Sequence, residues 1–175
     1  MEKEELYKIA IETRNMEIGL FWQRSNYFLV LNTAVAVGFF SIKSVGFQVL
    51  LALFGIVVSL LWFGVNLGSK YWQSRWEHRA SVIESEIGSG IEMFSASKST
   101  VDADVKASLL NHKFKPELDW YDKLVMKKPS VSKYMSILAG LFIFLWIGVL
   151  IISACSLVID EPIQYILDIG WENVV

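Results

Sequence analysis

"YMSILAGLFIFLWIGVLIISACSLVI", residues 134–159, contains no charged side chain over its whole length. A helix of this length on a soluble protein would carry a polar stripe on the side that faces water, and this run has none. An uncharged apolar run longer than the roughly 20 residues that cross a hydrocarbon core predicts a transmembrane helix. This stretch therefore indicates a membrane protein.

Two further apolar runs precede it. Residues 45–67 are long enough to span a bilayer with some tilt, and residues 25–42 form a shorter run that interfacial side chains extend. The few residues around Lys43 separate these two runs, which predicts a tight helical hairpin. The predicted fold is an all-α membrane protein with three transmembrane helices, at 25–42, 45–67 and 134–159.

The basic residues predict the orientation. Every Lys and Arg except Lys43 lies in 1–24 or in 68–133, and the tail 160–175 has none. Basic segments mark the cytoplasmic side of a membrane protein. We therefore expect a cytoplasmic N-terminus, a cytoplasmic insert at 68–133 and a periplasmic C-terminal tail.

The cytoplasmic segments read as helices. Residues 1–24 predict a helix that runs into the first span, and the second span continues past residue 67 with a packing stripe. Within the insert, Thr100 is the predicted N-cap of a helix over 101–114, and Pro116 is the predicted start of another. Together these elements predict a small cytoplasmic helical bundle.

Two amides lie in or next to the apolar runs. Asn32 falls about two turns inside the first span, and Asn66 lies near the cytoplasmic end of the second. Because hydrocarbon offers no hydrogen-bond partner, we expect Asn32 and Asn66 to bond each other, or their equivalents in neighbouring protomers. The alternative is that Asn66 reaches the interface and is solvated there.

Small and interfacial residues complete the set of candidate contacts. Small residues four apart let helix backbones approach closely, within one chain or between chains, and Trp, Arg and Lys anchor helix ends in the interface. The candidate packing residues are Gly55, Ser59, Gly64, Gly68, Ser136 and Gly140. The candidate anchors are Trp22, Arg24, Trp72, Lys127, Lys128 and Lys133.

Nothing in the sequence predicts catalysis. The chain has two His and one Cys, with no H-x-x-x-H or C-x-x-C spacing, and none of the spans has an ionisable residue in its middle, as proton relays require. The net charge of −2 gives no field for nucleic acid. We expect no enzymatic activity, no cofactor and no metal.

Residues 7–40, "YKIAIETRNMEIGLFWQRSNYFLVLNTAVAVGFF", resemble the RipA family of small bacterial inner-membrane proteins, which are described as octameric. The features that carry the resemblance are "EIGLFWQRSNYFLVLN" at 17–32, the adjacent hairpin spans, "YWQSRWEHR" at 71–79, and a third span after a cytoplasmic insert. The resemblance implies a homo-octamer in the bacterial cytoplasmic membrane. The family name reflects growth inside host cells, and no catalytic residues carry over.

Three functions follow as hypotheses. The first is a non-enzymatic homo-oligomeric scaffold or pore-like assembly, RipA-like, that supports intracellular growth or envelope homeostasis. The second is a membrane-anchored regulator or sensor that binds a cytosolic protein or an anionic lipid through its basic insert, although the basic residues also serve to set topology. The third is an oligomeric channel with a polar or hydrophobic lining.

Overall fold

The computed structural model describes residues 2–88, 90, 92–113, 117–128 and 130–172. Every regular element in these ranges is a helix, which confirms the all-α class for the described part of the chain. In chain order the helices are α1 Lys3–Ser41, α2 Val45–Ile87, α3 Lys98–Lys113, α4 Trp120–Val125 and α5 Val131–Glu172.

The chain divides into two compact units. The insert unit comprises Met1–Phe21 and Gly68–Tyr134, and the apolar unit comprises Trp22–Leu67 and Met135–Val175. Each of the long helices α1, α2 and α5 contributes residues to both units. The predicted extensions of α1 and α2 continue into the predicted spans without a break.

The core of the apolar unit is small and is formed by three helices. Val35 of α1, Ala52 of α2 and Trp146 of α5 are buried together, and partly buried apolar side chains surround them. Many large apolar side chains of the same helices point outward, among them Phe40 and Phe144, at 82% and 74% exposure. Such extensive apolar exposure is unusual for a soluble protein.

Two helices are long and apolar enough to cross a membrane. They are α2, Val45–Ile87, and the part of α5 from Val131 to Ser156. On the same criterion of length and composition α1 does not qualify within the described residues, although it contains the predicted first span.

The connection between α1 and α2 is as short as predicted. Helix α1 ends at Ser41 and α2 begins at Val45. The side-chain amide of Gln48 donates to the backbone carbonyl of Ile42 at 2.8 Å, so a side chain of α2 satisfies a carbonyl that the end of α1 leaves open.

One predicted helix start in the insert was wrong, and the other falls at a residue outside the described ranges. Helix α3 begins at Lys98, because the Ser97 hydroxyl, three residues before Thr100, accepts from the Thr100 backbone N–H at 3.2 Å and is therefore the N-cap. Pro116 lies outside the described residues. The next helix, α4, begins at Trp120 after the N-cap Asp119.

Asp119 starts α4 through a reciprocal pair of bonds. Its carboxylate accepts from the Asp122 backbone N–H at 2.8 Å, and the Asp122 carboxylate accepts from the Asp119 backbone N–H at 3.4 Å. This capping box satisfies two backbone donors that a short helix cannot bond internally. A cap, rather than the preceding proline, determines where α4 starts.

Helix α5 extends past the predicted third span. Its backbone is helical to Glu172, so most of the predicted 160–175 tail continues the helix. Residues 173–175 lie outside the described residues.

Candidate functional site

Asn32 lies at the centre of a buried polar cluster in the apolar unit. Its Oδ1 accepts from the Ser59 hydroxyl of α2 and from the Trp146 indole N–H of α5, both at 3.0 Å. Its Nδ2 donates to the Phe28 backbone carbonyl, also at 3.0 Å. We call Asn32, Ser59 and Trp146 the Asn32 cluster. One fully buried amide thereby hydrogen-bonds α1 to both α2 and α5.

Gly55 allows the Trp146 indole to reach Asn32. A Cβ atom built on Gly55 would lie 2.4 Å from two ring carbons of Trp146, far inside van der Waals contact. The Gly55 carbonyl also shares the single hydroxyl proton of Ser59, at 2.8 Å. Of the predicted pairs of small residues, Gly55 and Ser59 therefore lie at contacts within the chain.

Asn66 bonds a different residue from the one that the sequence suggested. The Ser25 hydroxyl donates to Asn66 Oδ1 at 3.5 Å, both side chains being buried. The pairs Asn32–Ser59 and Ser25–Asn66 show that a step of seven residues along α1 is matched by seven residues back along α2. Asn32 and Asn66 are thus offset by about two turns, roughly 10 Å. The expected Asn32–Asn66 bond within one chain was therefore wrong, and Asn66 is buried rather than solvated.

Glu84 is the corresponding centre in the insert unit. Its carboxylate accepts from the Tyr7 hydroxyl at 2.7 Å and from the consecutive backbone N–H groups of Met93, Phe94 and Ser95 at 2.9, 2.8 and 2.7 Å. The Ser95 hydroxyl adds a fifth bond at 2.8 Å. The buried carboxylate therefore holds the chain segment that follows α2 against the start of α1.

These bonds change the pKa of both side chains. Burial by itself would raise the pKa of Glu84, but the hydrogen bonds from Tyr7, Phe94 and Ser95 outweigh it and lower the pKa to about 2. Burial, followed by the bond to Glu84, raises the pKa of Tyr7 to about 12. At neutral pH the pair is a carboxylate and a neutral phenol, which is the combination that this geometry requires.

A second pair repeats the seven-residue step inside the insert unit. The Arg14 guanidinium lies 3.5 Å from the Glu77 carboxylate, and it also lies over the Phe94 ring at 5.5 Å from the centroid. Moving from Tyr7 to Arg14 on α1 moves the partner from Glu84 to Glu77 on α2. A seven-residue step is the repeat with which two packed helices keep the same faces together.

The other predicted packing residues have open space next to them. A Cβ atom on Gly64, Gly68 or Gly140 would meet nothing within 4 Å, and both Gly64 and Gly68 are exposed. Ser136 is half-buried on α5. These glycines therefore make no close helix contact with the described residues.

The predicted anchors lie at exposed or half-buried positions. Trp72 is exposed, and the Arg75 guanidinium lies 5.4 Å from its ring centroid. Lys128 pairs with Asp102 and has a positive φ of 51°. The remaining anchors, exposed except for the half-buried Arg24, are Trp22, Arg24, Lys127 and Lys133.

The described residues include no group of three or more His, Cys, Asp or Glu side chains that could hold a metal ion. What they do contain is a pair of polar centres, Asn32 and Glu84, that join helices to one another. These two polar centres therefore hold the segments of one protomer together.

The sequence profile of the octameric membrane protein family (8xMP) matches residues 4–155, which include both polar centres. The chain belongs to this family. Comparisons with curated proteins and with solved structures found no match. The resemblance to a family of octameric membrane proteins is thus confirmed over residues 4–155.

Several important residues of this 8xMP chain were not singled out in the sequence. Trp146 looks like an ordinary lipid-facing aromatic residue within an apolar run, and Glu84 lies in a charged stretch that resembles a solvated face. One available signal was Gly55, because a small residue inside a span allows a neighbouring helix to pack closely. The other signal was the hairpin, because its two antiparallel helices place Ser25 of α1 beside Asn66 of α2.

Proposed function

We propose that the protein is a non-enzymatic homo-oligomeric protein of the bacterial inner membrane that acts as a scaffold or pore-like assembly. The observation that carries this proposal is the match to an octameric membrane protein family over residues 4–155. A RipA-like role in growth inside host cells or in envelope homeostasis is part of the same proposal.

The Asn32 cluster supports a protomer that serves as a fixed building block. Asn32 uses its buried amide to bond α2 and α5 at once, and hydrogen bonds of this kind hold helices together where there is no water to compete. The three helices would then enter the oligomer as one body, while the open space beside Gly64 and Gly68 accommodates a neighbouring protomer.

The burial of two polar residues of α1 supports three spans rather than two. Ser25 and Asn32 lower the apolarity of α1, and both are buried within the apolar unit, so neither would contact lipid. An α1 that hydrogen-bonds to two apolar helices can cross the membrane beside them. With the basic residues on the cytoplasmic side, the N-terminus is cytoplasmic and the C-terminus periplasmic.

Imaging the purified particle in a lipid nanodisc tests the assembly. We expect a ring of identical copies, and native mass spectrometry of the same sample should give the octamer. A sample that contains only monomer at every protein concentration would contradict the proposal. Measuring ion conductance across a bilayer then distinguishes a scaffold from a pore, because a closed scaffold passes no current and a pore does.

A further inference from the structure

Two buried N–H groups of α2 have no hydrogen-bond partner among the described residues. They are the indole Nε1 of Trp62 and the side-chain Nδ2 of Asn66. Trp62 is 0% exposed and Asn66 1%. Residues four apart on a helix share one face, so both donors lie on the buried side of α2 one turn apart.

The indole of Trp62 is held in place by aromatic neighbours. Phe28 of α1 stacks on it, with ring centroids 6.4 Å apart and planes at 9°. Phe142 of α5 packs against it at 5.9 Å between centroids, with planes at 52°. The indole of Trp62 is fully buried, and it cannot turn without breaking this packing.

Asn66 cannot satisfy itself with Ser25 alone. The bond from the Ser25 hydroxyl is 3.5 Å long, at the limit for a hydrogen bond. Turning the amide over exchanges Oδ1 and Nδ2, but in either orientation Ser25 engages only one of these two atoms.

The Asn32 cluster provides the contrast within the same helices. There, every bond of the Asn32 amide is 3.0 Å long, and the Trp146 indole N–H has its acceptor. The layer at Trp62 and Asn66 has the same residue types, a tryptophan, an asparagine and a serine, yet lacks one acceptor. An oxygen atom within reach of both donors would complete it.

We propose that a water molecule is bound between Trp62, Asn66 and Ser25. It accepts hydrogen bonds from the Trp62 Nε1–H and the Asn66 Nδ2–H, and it donates to the Ser25 hydroxyl oxygen. A buried water with about three partners is the usual solution for such groups. Water fits better than an anion, because the buried polar residues of the apolar unit are all uncharged among those described.

The burial also argues against other sources of the oxygen. Trp62 and Asn66 are covered within one chain, so neither a lipid headgroup nor a side chain of a neighbouring protomer reaches them. The site therefore exists in each protomer, independently of the oligomeric state and of the role proposed above.

Solid-state NMR of the ¹⁵N-labelled full-length protein in lipid bilayers tests the site. Magnetisation is transferred from water protons to the indole N–H groups. The Trp62 signal is identified by its loss in Trp62→Phe, and the Trp146 signal by its loss in Trp146→Phe. We expect transfer to Trp62 at short mixing times and none to Trp146, whose N–H is bonded to Asn32.

Equal absence of transfer at both indoles would overturn the proposal, as would transfer to Trp62 from lipid protons in place of water. Ser25→Ala provides a second variant that changes little volume. It should weaken or abolish the transfer from water to Trp62, whereas the matched control Thr33→Val, at an exposed position of α1, should leave it unchanged. Full transfer in Ser25→Ala would contradict the role given to Ser25.

Discussion

At the scale of single residues, Asn32 is the polar group with the most partners in the apolar unit. Replacing it by leucine leaves the Trp146 indole N–H buried without an acceptor. We expect Asn32→Leu to lower the free energy of unfolding by about 1–2 kcal/mol, as for other buried or intramembrane hydrogen bonds. Thermal unfolding in mild detergent measures this loss.

The control for Asn32 lies next to it in the sequence. The Thr33 hydroxyl is exposed and bonds the Leu29 carbonyl of its own helix, so Thr33→Val should change stability by less than about 0.5 kcal/mol. A double-mutant cycle of Asn32→Leu with Trp146→Phe should show coupling. Strict additivity would mean that the two side chains do not interact.

Gly55 gives a second prediction at this scale. Gly55→Ala places a Cβ atom 2.4 Å from the rigid Trp146 ring, so the indole has to move and its bond to Asn32 lengthens. Overpacking of this kind costs about 1–3 kcal/mol. Gly19→Ala is the matched control, since nothing lies within 4 Å there and alanine favours the helix. Equal unfolding temperatures for Gly55→Ala and Gly19→Ala would contradict the tight contact between Gly55 and Trp146.

At the scale of the element, the Glu84 carboxylate holds the backbone of residues 93–95 in place. Glu84→Gln replaces an acceptor of five hydrogen bonds by an amide whose NH₂ group faces backbone N–H groups. We expect a loss of about 1–3 kcal/mol and faster hydrogen exchange at the amides of Met93, Phe94 and Ser95. Glu86→Gln should alter neither, because its ion pair with Lys3 is exposed.

The same carboxylate predicts a dependence on pH. The folded pKa of Glu84, about 2, is lower than its ordinary value of 4.5, so the stabilisation is complete above pH 4.5. It is lost as the pH falls from 4.5 toward 2, and it amounts to at most about 3 kcal/mol at 1.36 kcal/mol per pH unit. Glu84→Gln should flatten this part of the stability profile, and an unchanged slope would contradict the assignment.

The helices show what could be read from the sequence and what could not. The uncharged run at 134–159 and the hairpin around Lys43 were predictable, because apolarity and length are local properties. The start of α4 was not, because it depends on a capping box between Asp119 and Asp122 rather than on Pro116. The partner of Asn32 was not predictable either, since it depends on the offset between α1 and α2, and that offset is a property of packing.

At the scale of the whole molecule, the open glycines predict where protomers meet. Gly64→Leu should leave the protomer folded, since nothing lies within 4 Å of the new Cβ, and it should reduce the fraction of octamer in native mass spectrometry. Phe54→Leu, at an exposed position further round α2, is the control. An unchanged octamer fraction in Gly64→Leu would place the contact elsewhere.

Topology is the other property at this scale. Reporter fusions should place the N-terminus in the cytoplasm and the C-terminus in the periplasm. Both ends on the same side would mean that α1 does not cross the membrane. The apolar stretches of α2 and α5 alone would then cross the bilayer.

The matched seven-residue steps along α1 and α2 restrict how this gene can change in length. One extra residue between Ser25 and Asn32 would rotate the following side chains by about 100°, and Asn32 would turn away from Ser59. A one-residue insertion between Ser59 and Asn66 would not correct this rotation, because each helix needs a step of seven residues to keep both contacts on one face. Relatives of this chain should therefore keep the lengths of these two segments unchanged, and insertions should accumulate in the stretches beyond α2 that join α3, α4 and α5.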